Sequence, residues 1–468
     1  MNAYITGPRL RRAATAALLA ALPLAGLTAC EEVDRSLAVT DPDIINPGDV
    51  NSAAAAEALR LGAIARLNQA TSGGESFWLL GGLMADEWRS SDTFVQRDQT
   101  DQRAVEDNNA NVSDAFRSAQ RAFLAATIAG RELGDFEQPG WQVGEMHVIQ
   151  AYIENLLGEH MCNGIPFSVL NAEGAEEYSP RLTTSEVFER AIAHADSAIA
   201  AASGDEADDE RVRNAAAVMK ARALVNLGRY AEAAAAVADV PTDFEIVNEH
   251  SQTSRSNQIW ALNNSGARWT MSLGEGGNGL DFVVNDPRVP ACRPSRTDEA
   301  TVPAFLEPCP GGTASRPFDR ATPVPFLVQQ KWPERESPAA WVNGIEARLI
   351  EAEAALAGGG DWLGILNTLR AGVDGLAPLT DPGTAEGRVD LLFKERAFWL
   401  FSTGHRLGDL RRLIRQYGRA EDDVFPTGEW YLGASYGDDV NFPIPQSEHN
   451  NPQVDVPTDA PVCIDRNA

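Results

Sequence analysis

Aromatic side chains that stand beside polar ones are the residues of this chain best suited to binding chemistry. Trp260, Arg268 and Trp269 share one polar segment, and Trp88 follows Asp86 by two positions. Flat rings next to guanidinium or carboxylate groups suit stacking on the apolar face of a sugar or a peptide bond, while the polar neighbours satisfy its edges. We therefore expect a ligand site built from Trp269 with Arg268, then Trp260, then Trp88 with Asp86. The alternative for Trp269 is a place in the core.

Signals for catalysis are missing from the sequence. The six histidines do not occur at the two-ligand spacing of a helical metal site, and there is no Gly-x-Ser-x-Gly motif. The glycine-rich run at residues 274–279 lacks the strand before it and the helix after it that phosphate binding requires. Asp86 and Glu87 are adjacent, so on a helix their carboxylates point about 100° apart and do not share a glycosidase cleft. We predict that the protein is not an enzyme and holds neither a metal nor another cofactor.

The N-terminus has the pattern of an export signal. Arg9, Arg11 and Arg12 precede an apolar run at residues 13–26, and Leu-Thr-Ala-Cys ends at Cys30. The last four residues resemble a bacterial lipobox, in which the cysteine is acylated and becomes the new N-terminus. The apolar run is shorter than the roughly 20 residues that span a bilayer. We expect a signal peptide at residues 1–29 and a lipid-bearing tether at 30–48; an ordinary signal peptide is the alternative.

Charge and composition indicate a large acidic body over the remainder, residues 49–468; its length suggests two or three domains, although helical repeat folds reach this size as one body. The chain has 468 residues, 44% of them hydrophobic, and a formal net charge of −28, enough apolar content for a real core. So acidic a protein repels nucleic acids and anionic lipid surfaces. We therefore expect no nucleic-acid partner, and contact with the membrane only through the lipid anchor.

Four further cysteines, Cys162, Cys292, Cys309 and Cys463, form an even set in an exported chain. Oxidising conditions outside the cytoplasm favour two disulfide bonds, for which three pairings exist. Cys292 and Cys309 flank a loop rich in proline and glycine, which favours a local bridge and leaves Cys162 for Cys463. A metal site is the rival interpretation, but no Cys-x-x-Cys motif or histidine at ligand spacing accompanies these cysteines.

Helical periodicity dominates the chain, and strand-like alternation is scarce. Residues 240–335 break this pattern with a long loop-rich segment. Leu-Gly-Arg-Tyr-Ala-Glu-Ala at residues 227–233 resembles the turn of a tetratricopeptide repeat, with Gly228 suited to the positive φ that ends a helix. A second helical pair is interrupted by glycines at 358–360. Helices are predicted from a cap near residues 49–51 to Leu67 and over about 112–131, 145–157, 184–201, 211–226, 230–238, 340–357, 361–371, 387–402 and 405–417.

The C-terminal third carries motifs that indicate a family. Glu395-Arg396 is followed by Gly-His-Arg-Leu-Gly-Asp-Leu-Arg-Arg at residues 404–412 and by Phe-Pro-Ile-Pro at residues 442–445. In this order the motifs resemble those of the SusD/RagB family of outer-membrane lipoproteins. The lipobox, Leu-Ala-Val-Thr at residues 37–40 and Leu-Met-Ala-Asp-Glu at residues 83–87 fit the same pattern. Arg406 and Asp409 are i,i+3 neighbours, and we expect them to pair on a helix as part of the scaffold.

The resemblance implies a mainly α fold in which residues 49–468 form a single domain, a tetratricopeptide-like helical scaffold with a long loop-rich insertion. It also implies a surface-exposed, lipid-anchored protein of the outer membrane, which binds an oligosaccharide or a peptide and delivers it to a SusC-like TonB-dependent transporter. The alternative is a tetratricopeptide adaptor that recruits another exported protein and binds no nutrient.

Overall fold

Helices with capping residues at their first turns form most of the regular structure. The computed structural model describes residues 50–172, 174–294, 299–310 and 325–468. The predicted signal peptide and the whole of the predicted tether, Cys30 included, lie outside the described residues. From Asn51 onward the described chain forms one compact unit. None of its helices is long and apolar enough to cross a membrane.

The helices of the described residues are numbered here in chain order. They are α1 (Ala53–Ala70), α2 (Phe77–Met84), α3 (Val95–Asp101), α4 (Ala110–Asp135), α5 (Gly140–His160), α6 (Thr184–Ala201), α7 (Ala207–Asn226), α8 (Tyr230–Val237), α9 (Gln258–Trp260, continued by a π-helical turn at Ala261–Ser265), α10 (Gly344–Gly358), α11 (Trp362–Ala371), α12 (Ala385–Trp399), α13 (Arg406–Arg415) and α14 (Glu421–Val424).

Local capping explains several of these boundaries. Thr183 and Glu186 form a reciprocal capping box at the start of α6, whose bounds match the predicted helix. Gly228 has φ 73° between α7 and α8, as its place in the repeat-like turn predicted, and Gly359 has φ 75° after α10. Positive φ costs glycine little, so the chain reverses at both points and the next helix packs back.

Successive helices stack as hairpins into one continuous layer. Helix α4 packs against α1 and α5, α5 against α6, and α7 against α6 and α8; α8 then contacts α10, which packs against α11. This series confirms the predicted tetratricopeptide-like scaffold, including hairpins over residues 140–201 in which the sequence shows no clear repeat. Small side chains such as Ala126, Ala151 and Ala216 are fully buried between the helices and allow their close approach.

Short antiparallel strand pairs hold the loop-rich segment against this layer. The strands are β1 (Trp88–Ser90), β2 (Val169–Leu170), β3 (Glu176–Glu177), β4 (Glu245–Asn248), β5 (Trp269–Met271), β6 (Ala291–Cys292), β7 (Val328–Gln329) and β8 (Ala339–Asn343). They pair as β1–β5, β2–β3, β4–β8 and β6–β7. The helix predicted from residue 340 was therefore wrong over its first four residues, which belong to β8 because β4 supplies a backbone partner.

Both disulfide bonds have the pairing that the spacing favoured. Cys162 is bonded to Cys463 across 301 residues, and Cys292 to Cys309 across 17. The longer bridge lies beside the Phe-Pro-Ile-Pro motif, where the amide of Cys162 donates to the carbonyl oxygen of Phe442 at 2.9 Å. The C-terminal tail is thereby fixed to the end of α5.

Candidate functional site

Asp86 lies at the end of α2, a helix whose eight residues are all buried. Its carboxylate is fully buried and accepts two hydrogen bonds from the Arg406 guanidinium, each of 2.6 Å, and one from the Leu280 amide at 2.7 Å. A carboxylate whose oxygens are already occupied inside the protein does not meet a ligand. Asp86 was therefore wrongly predicted as a binding residue, and it stabilises the fold instead.

Trp88 and Trp269 face the core from the paired strands β1 and β5. Both are 0% exposed, and the Trp88 indole Nε1 donates to Ser402 Oγ at 2.9 Å. Trp269 Nε1 donates no hydrogen bond to any of the described residues. Neither ring has a free face for stacking, so the prediction that they contact a ligand was wrong. The alternative that placed Trp269 in the core is correct.

Glu87 is buried beneath the same strands. Its carboxylate accepts a hydrogen bond from the Ser402 amide at 2.7 Å. Burial raises the pKa of this carboxyl to about 8, even though the Ser402 hydrogen bond and the charges of Arg406 and Lys331 oppose the shift. Burial likewise lowers the pKa of Lys331 to about 8. Both shifts bring the pKa values of these side chains toward neutral pH.

The structure separates the remaining two predicted residues. Trp260 is half-buried on α9, where Asn257 caps the helix by accepting hydrogen bonds from its first amides. Arg268 is one-third exposed, and its Nη1 donates to Asp92 Oδ1 at 2.8 Å. The backbone of the preceding residue, Ala267, has φ 50°, a strained conformation for a residue with a side chain. Of the predicted set, Arg268 alone belongs to the surface described next.

Phe94, the residue that precedes α3, is the centre of that surface. It is 56% exposed and the adjacent Val95 is 68% exposed, although both are apolar. The guanidinium carbons of Arg97 and Arg268 lie 5.1 and 5.6 Å from the centre of its ring. We call Phe94, Val95, Arg97 and Arg268, with the carboxylates of Asp92 and Glu75 that hold them, the Phe94 surface.

A buried carboxylate, Asp92, and a half-buried one, Glu75, fix the two guanidinium groups of this surface. Asp92 is 0% exposed and lies between Arg97 and Arg268, with an ion pair to each. Glu75 binds the other side of Arg97 through hydrogen bonds of 2.7 and 2.5 Å. Burial alone would lower the pKa of Arg97, but the hydrogen bonds and charges of Glu75 and Asp92 raise it. Arg97 therefore keeps its positive charge in a fixed position beside an open ring.

A second ring lies close to the same strand. The Tyr431 hydroxyl donates to the Ser90 carbonyl oxygen at 2.6 Å, and the Arg89 guanidinium carbon is 5.2 Å from the Tyr431 ring centre. Below them, Asp101 accepts from the Ser90 amide at 3.1 Å. Burial, followed by the negative charge of Glu275, raises the pKa of Asp101 well above its usual value. The floor of this region is thus rigid and densely hydrogen-bonded.

Sequence reasoning missed Phe94, Asp92 and Tyr431. A usable signal existed, because Phe94 and Val95 are the only apolar residues in the run from Arg89 to Thr100, and apolar side chains within a polar run are often exposed. Across the described ranges, no group of three or more histidine, cysteine, aspartate or glutamate side chains is arranged to hold a metal ion. The Phe94 surface offers an aromatic face and fixed hydrogen-bond donors, the chemistry of binding.

Comparison with known proteins identifies the fold. No protein-family model matches the chain, and neither does any curated protein. A SusD superfamily protein from Bacteroides thetaiotaomicron is 15% identical, with a TM-score of 0.61 over 86% of this chain and 99% of that one. The chain has the SusD fold. A SusD/RagB family protein from the same species is 14% identical, with a TM-score of 0.60 over 84% and 94% of the two chains.

A third structure with the SusD fold is that of a carbohydrate-binding protein. It is a SusD-like carbohydrate binding protein from Bacteroides vulgatus, 13% identical to this chain, with a TM-score of 0.56 over 77% of this chain and 83% of that one. At such low identity the similarity establishes the fold alone. The function of this chain depends on its own residues.

In this SusD fold the C-terminal motif is scaffold, but its pairing differs from the expected one. Asp409 binds Arg396 through hydrogen bonds of 2.8 and 2.9 Å and also accepts from Arg412 at 2.7 Å. Arg406 turns away from Asp409 to reach Asp86. The expected i,i+3 pair of Arg406 with Asp409 was wrong, because a buried arginine needs the bidentate partner that another segment provides.

Proposed function

We propose that this protein is a non-enzymatic SusD-like lipoprotein that captures carbohydrate at the Phe94 surface. The observation that carries the proposal is an aromatic ring, more than half exposed, between two guanidinium groups that the buried carboxylate of Asp92 holds in place. A sugar ring presents an apolar face to such a side chain, and its hydroxyl groups accept hydrogen bonds from the guanidinium edges. The carbohydrate-binding protein of the same fold supports this class of ligand.

The affinity of such a site should be modest. Stacking on an aromatic ring adds about 0.5–1.5 kcal/mol beyond the area that it buries, and one open ring does not enclose a ligand. We expect dissociation constants between micromolar and millimolar, which correspond to roughly −8 to −4 kcal/mol. Binding of that strength permits the rapid release that handing a nutrient to a transporter requires.

Titration calorimetry with a panel of oligosaccharides tests the proposal. Phe94→Ala should weaken binding about fivefold or more, since the stacking face is lost while the exposed position leaves folding intact. The matched control is Tyr178→Ala, which removes another exposed aromatic ring, on the β2–β3 side of the protein. Full affinity in Phe94→Ala, or an equal loss in Tyr178→Ala, would remove this surface as the binding site.

We further propose that Cys30 carries the lipid anchor at the outer membrane and that the protein works with a SusC-like transporter. Labelling with a palmitate analogue should mark the wild type, and Cys30→Ala should release the protein into soluble fractions. Extraction in mild detergent should bring down a large β-barrel protein in stoichiometric amount. Recovery of the monomer alone would favour the adaptor role, which lacks the support that the carbohydrate-binding structure gives to nutrient capture.

A further inference from the structure

A pocket of about 810 Å³ lies between α1 and β4, and none of the residues of the Phe94 surface lines it. Its walls are largely apolar and include Leu61 and Ile64 from α1, Ile246 from β4 and Trp341 from β8. Leu61 is 54% exposed at its rim. A concave apolar wall with an uncovered leucine is suited to taking apolar side chains from a ligand.

The strand β4 borders this pocket. Residues 246–248 of the strand and the following Glu249 line it. The register of β4 shifts between Ile246 and Val247, so the usual alternation of side chains between two faces is interrupted there. β4 pairs with β8 on one side only, and in the described structure no other strand bonds to its second edge. That edge offers backbone donors and acceptors to an extended ligand.

Arg255 supplies a positive charge to the same pocket. Its Nη1 donates to the Ala65 carbonyl oxygen at 2.8 Å, and the described residues give it no ion pair with a carboxylate, the exposed Glu249 of the same lining included. Glu145, which also lines the pocket, is already paired with Arg60 and Arg211. In a chain of net charge −28, an arginine without an acidic partner is suited to the carboxylate of a ligand.

We propose that this pocket binds a short, extended peptide, which adds a strand to the free edge of β4. Its apolar side chains pack against Leu61 and Trp341, and its carboxylate lies beside Arg255. Four paired residues at about 3.3 Å each span about 13 Å, which is the length of β4. Main-chain hydrogen bonds would then provide affinity, and the alternating side chains would provide selectivity.

Calorimetry and amide hydrogen exchange on the full mature chain test this proposal. The probe is a six-residue peptide of alternating valine and threonine with a free C-terminal carboxylate. It should slow amide exchange within residues 245–249 by about tenfold at saturation, because free edge amides become hydrogen-bonded. The control peptide carries N-methyl groups on alternate residues, which remove the pairing donors and preserve the side chains, and it should not bind.

Variants then locate the ligand. Leu61→Glu should abolish peptide binding, and Arg255→Gln should weaken it about tenfold for the free carboxylate but not for the amidated peptide. Phe94→Ala should bind the peptide as the wild type does. Equal binding of the N-methylated peptide, unchanged exchange at β4, or a loss in Phe94→Ala instead of Leu61→Glu would overturn the proposal. The first two results would leave carbohydrate binding at the Phe94 surface untouched, and the third would place the peptide at that surface instead.

Discussion

Asp86 and Arg406 are 320 residues apart in the chain, yet the guanidinium of Arg406 binds both carboxylate oxygens of Asp86 in the interior. One partner follows α2 and the other begins α13, so the pair joins the first quarter of the protein to the last. Two of the sequence motifs that support the family resemblance, at residues 83–87 and 404–412, therefore each contribute one member of this ion pair.

Removing one member of this pair should strongly destabilise the fold. Asp86→Ala leaves a buried guanidinium without its partner, which costs about 3–5 kcal/mol of unfolding free energy. Urea denaturation followed by circular dichroism measures the loss. The exposed pair of Asp114 with Arg117 serves as the control, and Asp114→Ala should leave the midpoint almost unchanged. Similar midpoints for both variants would contradict a structural role for Asp86.

The two disulfide bonds should differ in their contribution to stability. Cross-linking restricts the unfolded chain more when the closed loop is longer, and the loops here span 301 and 17 residues. The chain-entropy estimate is about 3 kcal/mol for the short loop and about 6 kcal/mol for the long one. Paired serine substitutions at Cys162 and Cys463 should therefore lower the denaturation midpoint more than those at Cys292 and Cys309. The reverse order would show that the long bridge does not constrain the unfolded chain.

Glu87 should make stability fall as the pH rises. Its pKa is raised by burial from 4.5 to about 8, so its contribution is fully present below pH 4.5 and is lost as the pH rises through 8. Glu87→Gln keeps the shape and removes the titration. Between pH 5 and pH 8.5, the unfolding free energy of the variant should rise by about 4 kcal/mol relative to that of the wild type. Each unit of pKa shift represents 1.36 kcal/mol.

Denaturation series at several pH values check the effect of Glu87. The control is Glu186→Gln in the capping box, where the Thr183 backbone hydrogen bond lowers the carboxyl pKa. That group contributes stability above its ordinary pKa and loses it only as the pH falls further, so the control should show no slope between pH 5 and 8.5. A flat difference between Glu87→Gln and the wild type would show that Glu87 does not take up a proton on folding.

Adjacent substitutions at Arg268 and Trp269 should act in opposite ways. Trp269→Ala empties a fully buried position and should cost about 3–5 kcal/mol of stability. Arg268→Gln should weaken carbohydrate binding several-fold, because a charged hydrogen-bond donor is lost. The thermal midpoint should change little, because the side chain is partly exposed. Calorimetry together with thermal melts separates the two effects. A stable Trp269→Ala that binds less ligand would restore that ring as a contact.

The fold was largely predictable because its signals are local. The capping box at Thr183 set the start of α6, and Gly228 set the turn after α7. The strand at Trp341 was not predictable in this way, since its partner β4 lies almost a hundred residues earlier. Backbone pairing over that distance leaves no periodicity in the segment that is paired.

The ligand site was predicted less well because polar neighbours gave a misleading picture of exposure. Trp269 has Arg268 and Thr270 on either side, which indicated a surface loop. In the structure, Thr270 is buried too, and its hydroxyl accepts a hydrogen bond from the Leu327 amide at 2.8 Å. A hydrogen bond from a distant segment thus allows a polar residue into the core, and the sequence alone does not reveal it.

The disulfide between Cys162 and Cys463 has a consequence for the order of events during synthesis. A chain emerges from its N-terminus first, and Cys463 follows Cys162 by 301 positions. The end of α5 therefore has no covalent partner until those positions have been added. A truncated chain that lacks Cys463 keeps a free thiol at Cys162.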